Sequence, residues 1–176
     1  MKNILLVFIM IIGITATAQT FRVVKDPETD GKMYNGLFTF DDLDRETSFS
    51  WLKKGKDDYK PADDKSLGVL QFYLRQYKIV IFLGTWCGDS RELVPKLEKV
   101  LEDVKYPMSK VSIYGVDRQK KTIGGEQKKY DITNVPTIIL FKGDEEAGRI
   151  IESVKTTIEG DLAAIIEKDM EGQAPR

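Results

Sequence analysis

Five apolar residues in succession, Ile79-Val80-Ile81-Phe82-Leu83, run almost directly into Trp86-Cys87-Gly88-Asp89-Ser90. A helical repeat follows at Leu93, Leu97, Val100, Leu101 and Val104. An apolar run without polar alternation is what a central strand needs when both its faces are covered. The repeat after it supplies one apolar helix face. Pro95 lies inside that helix, where it removes a donor and bends the axis. At the point where strand hands over to helix stands Cys87, the only cysteine of the chain. A helix N-terminus creates a positive local field, which favours the nucleophilic thiolate over the thiol.

What the chain lacks narrows its chemistry. There is no histidine. Ser-His and Cys-His nucleophile pairs are therefore closed to it, as are His-ligated zinc and haem. With one cysteine there is no internal disulfide. The 27 basic and 28 acidic residues leave a formal charge of −1. Such a mixed surface gives no reason to expect nucleic acid or an acidic membrane as a partner. Asp26-Pro27-Glu28-Thr29-Asp30-Gly31 resembles the opening of an EF-hand loop. The position that needs a bidentate Glu is Leu37, and no helical pattern precedes the segment. A polar turn is the preferred reading. No cofactor is expected.

The first residues read as a targeting segment. Lys2 gives a positive start, and Ile4 to Ile14 is an apolar stretch too short to span a bilayer comfortably. Ala16-Thr17-Ala18 fits a small-x-small cleavage site, so 1–18 is expected to be removed and the mature chain to begin at Gln19. A retained N-terminal anchor is the alternative. No cysteine follows the apolar stretch to carry a lipid. The expectation is an exported protein, periplasmic or extracellular, without stable membrane insertion after cleavage. A lone thiol is unusual in such an oxidising place.

Residues 19–65 form an N-terminal extension, 66–171 the main domain and 172–176 a disordered tail. Phe21 to Tyr34 predicts a short strand and then a loop. Asp41-Asp42-Leu43 reads as a short helix start. Ser48 to Pro61 reads as irregular, with Phe49, Trp51 and Tyr59 docking on the core. Leu67, Leu70, Leu74 and Tyr77 mark one helix face. Val111 to Val116 is the next strand, and Gly124-Gly125 opens a short helix to Tyr130. Thr137–Phe141 and Arg149–Val154 flank a turn at Lys142–Ala147. Thr156-Thr157-Ile158-Glu159 has the form of a capping box before a last helix. The order predicts an α/β fold. Its mixed four- to five-stranded sheet has a parallel central pair, a closing hairpin and helices on both faces.

With these elements in place, the chain resembles the thioredoxin-like superfamily over roughly residues 66–170. Trp86-Cys87-Gly88-Asp89-Ser90 stands where that family has Trp-Cys-Gly-Pro-Cys. Pro95 matches its helix-kinking proline. Val135-Pro136-Thr137 resembles its cis-proline loop, and Ile138 to Gly143 the strand and turn after it. The Gly84-to-Ser90 stretch is similar to a group of exported bacterial thioredoxin-like proteins. The resemblance implies a thioredoxin fold and peptide binding along the proline loop. Three positions depart from it. Ser90 replaces the second cysteine, giving a CxxS site. Ile81 replaces the family's buried acid, and Ile113 the lysine paired with it.

A single thiol attacks one sulfur and stays attached as a mixed disulfide until another thiol releases it. The expected function is therefore thiol–disulfide exchange through Cys87, of the mixed-disulfide or isomerase type, not stand-alone dithiol reduction. Cys87 and Ser90 are the candidate catalytic residues. Trp86, Gly88, Asp89, Val135 and Pro136 are the candidate substrate-binding residues. The partners are a protein or peptide disulfide or thiol client and a second thiol. Arg91 adds to the field favouring thiolate, while Asp89 and Glu92 oppose it. Five of these residues also have a plainer reading. Cys87 would be an inert remnant, Ser90 and Asp89 helix caps, Trp86 core and Pro136 a trans strand-edge residue. Together these make the alternative function, a non-catalytic peptide- or partner-binding module.

Overall fold

A computed structural model describes residues 20–172. The expected leader 1–18, its cleavage point before Gln19 and residues 173–176 of the expected tail lie outside the described residues. The chain opens with a hairpin. Strand β1 (Phe21–Lys25) pairs antiparallel with β2 (Lys32–Phe38) around a turn at 26–31. The segment with EF-hand-like spacing is that turn. The expected loop after β1 is thus confined to this turn, and its last residues, Lys32 to Tyr34, already belong to β2. Met33, Tyr34, Asn35 and Gly36 are all buried, because β2 is an interior strand of the sheet. No alternation exists there for a sequence to display. Asn35 also breaks the apolar run. Its side chain donates to Lys121 O (3.0 Å) and accepts from the Ile123 N–H (2.7 Å).

Helix α1 (Phe40–Asp44) is held by a reciprocal cap, in which Thr39 accepts from the Asp42 N–H and Asp42 accepts from the Thr39 N–H. The segment expected to be irregular contains α2 (Trp51–Asp58). Lys53–Asp57 and Lys54–Asp58 pair at i,i+4 on its open side, while Leu52 is fully buried on the other. Gly55 obscures the pattern and has a packing reason. A Cβ there would lie 2.8 Å from Cβ of Pro95. Phe49 is in the core, and Trp51 and Tyr59 pack on it, as expected.

Helix α3 (Asp64–Tyr73) is capped by Asp63, and a 3-10 turn over Leu74–Gln76 leads into β3 (Tyr77–Leu83). Tyr77 was expected on the helix face and instead begins the strand. Next come α4 (Gly88–Asp103), β4 (Val111–Gly115) and the short α5 (Glu126–Lys129). Strands β5 (Thr137–Lys142) and β6 (Glu145–Ile151) close the sheet. Their turn is only Gly143-Asp144, tighter than expected, with Gly143 at φ +61 where a side chain would be strained.

The last helix, α6 (Ile158–Gly172), corrects the capping box. Thr157, not Thr156, accepts from a first-turn N–H, that of Gly160 (3.1 Å). Glu159 turns inward, fully buried, and accepts from the Tyr59 hydroxyl (2.6 Å) and the Ala62 N–H (3.2 Å). Burial opposes its charge, but these hydrogen bonds outweigh it and hold the carboxyl below its ordinary range.

The sheet has six strands in the order β1-β2-β4-β3-β5-β6, with β3 and β4 parallel and every other pair antiparallel. The α/β mixed sheet stands as predicted. Six strands stand where four to five are expected, and β1 and β2 of the N-terminal segment complete the sheet. Alternate residues of β3 divide the interior. Ile79, Ile81 and Leu83 face a large core with Leu52, Leu70, Leu97 and Leu162 of four helices. Val80 and Phe82 face a smaller one with Val116, Ile132, Val135 and Ile139. Trp86 and Cys87 pack at the margin of the smaller core. Among the described residues, no helix is long and apolar enough to cross a membrane.

One charge is built into the larger assembly. Glu98 of α4 is 3% exposed, faces α2, and bonds Lys56 Nζ through Oε1 at 3.0 Å. Its Oε2 is buried without a hydrogen-bond partner among the described residues. Burial pushes the carboxyl from 4.5 up to about 7, although Lys56 pulls the other way. Between those values the folded state holds a proton that the unfolded chain has lost. Stability from this group is thus full below the unfolded value and is lost as pH rises toward about 7. Urea titrations should show stability falling by on the order of 1–3 kcal/mol from about pH 5 to about pH 8. Glu98→Gln should remove most of that slope. An equal slope in the variant would place the titration elsewhere.

Candidate active site

The site is built where β3 ends. The Cys87 N–H donates to Gly84 O (2.9 Å), closing a turn that aims the chain into α4. Cys87 has extended backbone (φ −83, ψ 129) and is the N-cap of α4. It is half-buried, with Sγ 3.3 Å from Val135 O, to which it donates. The next peptide bond, Val135–Pro136, is cis. Residues 48 positions apart are thus joined through one sulfur contact. The loop is tied at its far side, since the Glu152 N–H donates to Pro136 O at 2.7 Å.

The other candidates separate around this contact. Gly88 and Asp89 are exposed in the first turn of α4, beside the sulfur's position in sequence. Val135 and Pro136 are buried, Val135 in the smaller core. Ser90 is fully buried, and its Oγ accepts from the Gly84 N–H at 3.2 Å. That hydrogen bond runs to the turn and not to the Cys87 sulfur. Arg91 holds the same turn, its Nε donating to Thr85 O at 2.8 Å. Trp86 is half-buried, with Nε1 donating to Val116 O (3.0 Å) after β4. Its indole covers Gly84, where a Cβ would come within 2.7 Å of the ring. Gly84→Ala should therefore displace Trp86, visible as a changed indole emission in a Trp51→Phe background. An unchanged spectrum would show that the ring is not seated on the turn.

Ile81 and Ile113 are direct partners across the parallel β3–β4 pair, and both are buried. Where the resemblance places an acid and a lysine, this chain has one continuous apolar contact. Among the described residues, no group of three or more His, Cys, Asp or Glu is placed to hold a metal.

Three residues at the site were not among those expected. Thr85, fully buried, accepts from the Tyr34 N–H at 3.3 Å, tying β2 to the turn. Arg118 lies with its guanidinium carbon 4.8 Å from the Trp86 ring centroid, a cation–π distance. Its Nε and Nη2 donate to Asp26 of the β1–β2 turn at 2.8 and 2.7 Å. These hydrogen bonds hold the Asp26 carboxyl far below the ordinary range, with burial opposing. In the other direction, Asp26 above all raises Arg118, and the charges of Glu28 and Cys87 act the same way. No sequence pattern links Asp26 to Arg118, which are 92 positions apart.

The thioredoxin family model matches residues 70–168. The chain belongs to the thioredoxin family. Thioredoxin-1 of Saccharomyces cerevisiae is 29% identical over 93 residues, covering 52% of this chain and 84% of that one. The thioredoxin of Chlamydia pneumoniae is 30% identical over 73 residues, covering 42% and 66%. Among solved structures, a Pseudomonas aeruginosa protein of unknown function aligns with TM-score 0.52 at 12% identity, covering 77% of this chain and 93% of that one. At that identity the likeness is one of fold. The β1–β2 hairpin, α1 and α2 precede the matched region, yet the hairpin brings Asp26 and the Tyr34 N–H to the candidate site.

Proposed function

We propose that this thioredoxin-family protein performs thiol–disulfide exchange through Cys87 alone, in an exported compartment, on peptides laid along Val135–Pro136. The observation that carries the reading is the half-buried sulfur at a helix N-cap, 3.3 Å from Val135 O beside a cis proline. The apolar stretch Ile4–Ile14 with Ala16-Thr17-Ala18 supports export.

The steps follow from having one sulfur. The Cys87 thiolate attacks one sulfur of a client disulfide. A Cys87–client S–S bond forms, the client's own S–S bond breaks, and the other client sulfur leaves as thiolate. A second thiol then attacks the client sulfur of the mixed disulfide and Cys87 departs as thiolate. If that thiol belongs to the client, the net change is isomerisation without oxidation. If it belongs to a small thiol or partner protein, that thiol is oxidised into the new disulfide. Ser90 carries no sulfur, so it forms no second S–S bond to release the mixed disulfide. Ile81 and Ile113 offer no proton relay, which a second thiol of the protein's own would need. Trp86 provides an apolar wall beside the sulfur.

Incubation with a cystine-containing peptide should give a one-to-one covalent adduct in intact mass, released by added thiol. A protein that forms no adduct at any peptide concentration contradicts the reading. A second reading, a binding module without exchange, is favoured by the inward-bonded Ser90 and the Ile81–Ile113 contact. Under it, Cys87→Ala leaves peptide binding and function intact.

A further inference from the structure

Arg118 is held on two edges by two carboxylates that differ in kind. Asp26 is 2% exposed, takes the Nε–Nη2 fork, and also accepts from the Thr29 hydroxyl (2.6 Å) and the Glu28 N–H (3.1 Å). Glu28 is 64% exposed and takes Nη1 alone, at 2.5 Å. A buried two-point fork fixes a guanidinium in place. An exposed single-edge pair is screened by water and exchanges readily with other anions. Arg118 is thus anchored on its inner side and carries a replaceable carboxylate on its outer side. Its guanidinium carbon lies 4.8 Å from the ring centroid of Trp86, the residue immediately before the reacting sulfur.

We propose that Arg118 is a specificity-determining residue of the Cys87 site: its outer edge receives a carboxylate carried near the sulfur of an incoming thiol or disulfide, displacing Glu28. The inference rests on the reading of Cys87 as the exchanging thiol and names the chemical class of its substrate. Arg118 makes and breaks no covalent bond. It holds one end of the substrate while the exchange runs as described above. Asp26 is its positioning residue, and through Asp26 the β1–β2 turn becomes part of substrate recognition. Asp89, exposed in the first turn of α4, repels the same anion. Discrimination therefore depends on Arg118 keeping its place.

The test compares iodoacetate with iodoacetamide on the folded full-length protein. In both reagents the Cys87 thiolate displaces iodide and forms an S–C bond, and only the reagent's charge differs. The ratio of the two rates cancels changes in sulfur exposure. Arg118→Gln should lower the iodoacetate-to-iodoacetamide ratio about threefold, and exposed Glu28→Gln should raise it by a similar factor, from one unit charge acting through water-like screening. Arg118→Lys should give a ratio above that of Arg118→Gln. The gain from Glu28→Gln should shrink when Arg118 is already glutamine, because the freed guanidinium edge is then missing. A ratio unchanged in both single variants overturns the proposal, and so does a Glu28→Gln gain that persists in full without Arg118. Failure of both reagents to label the folded protein overturns the reading of Cys87 and this proposal together. Labelling with an unvarying ratio overturns this proposal alone.

Discussion

Cys87→Ser should abolish every covalent adduct with peptide disulfides, while Ser90→Cys should change the end product of the proposed exchange. The first follows from composition, since no second sulfur nucleophile of the cysteine type exists in the chain. The second follows from electron counting. Reducing a disulfide takes two electrons, and one thiol delivers them only with help from another. A cysteine at 90, on the first turn of the helix that Cys87 caps, supplies that help from within. The adduct should then resolve internally, leaving released client and an intramolecular 87–90 disulfide. The substitution slightly enlarges a side chain that is fully buried and weakens the bond accepted from the Gly84 N–H. Intact mass before and after a thiol quench separates the cases. Cys87→Ser gives no adduct, the unaltered protein accumulates it, and Ser90→Cys passes through it. An adduct in Cys87→Ser would break the account outright. Accumulation by Ser90→Cys equal to that of the unaltered protein would mean that position 90 cannot reach the sulfur.

The second large effect is structural and reaches the same site. Gly115 ends β4, paired with Gly36 of β2 on one side and Leu83 of β3 on the other. A Cβ at 115 would lie 2.1 Å from Tyr34 O and 2.7 Å from Cε1 of Phe38. The first neighbour is backbone, so no rotamer change relieves it; β2 must leave its place. Gly115→Ala should cost about 3 kcal/mol or more, the upper range for overpacking an interior. The loss should concentrate on the hairpin, as faster amide exchange in β1 and β2 than in β5 and β6. Val116, the acceptor for the Trp86 indole, is the next residue, so the thiol site loosens with it. Gly68→Ala is the contrast. Among the described residues nothing lies within 4 Å of a Cβ there, within helix α3, and the change should stabilise by about 0.5–1 kcal/mol. Equal stability of the two variants in urea would show that the β2–β4 contact is not as tight as its geometry states.

Much of the matched thioredoxin region was legible because its signals are local. An unbroken strand at Ile79–Leu83, a helical repeat after Cys87 and a proline before Thr137 each report on their own neighbourhood. Their order then leaves few topologies. The N-terminal segment was less legible for specific reasons. β2 is interior and carries a buried Asn35 satisfied by residues about ninety positions away. α2 has a glycine at its midpoint, and the proline that requires it lies on another helix. Capping misled by one residue at Thr156-Thr157, because Glu159 had a stronger partner in Tyr59, 100 positions away. The thiol, its helix and its proline loop were read from motif order. Arg118 and Asp26 were not, since a long-range ion pair leaves no periodicity behind.

The most direct test of a lone sulfur open to exchange is a pulse of iodoacetamide on the folded protein, read by intact mass beside a sample unfolded in urea. With a single cysteine, each protein gains one label or none. The account predicts that the folded protein takes its one label under native conditions without prior unfolding. Labelling seen only in urea would contradict it.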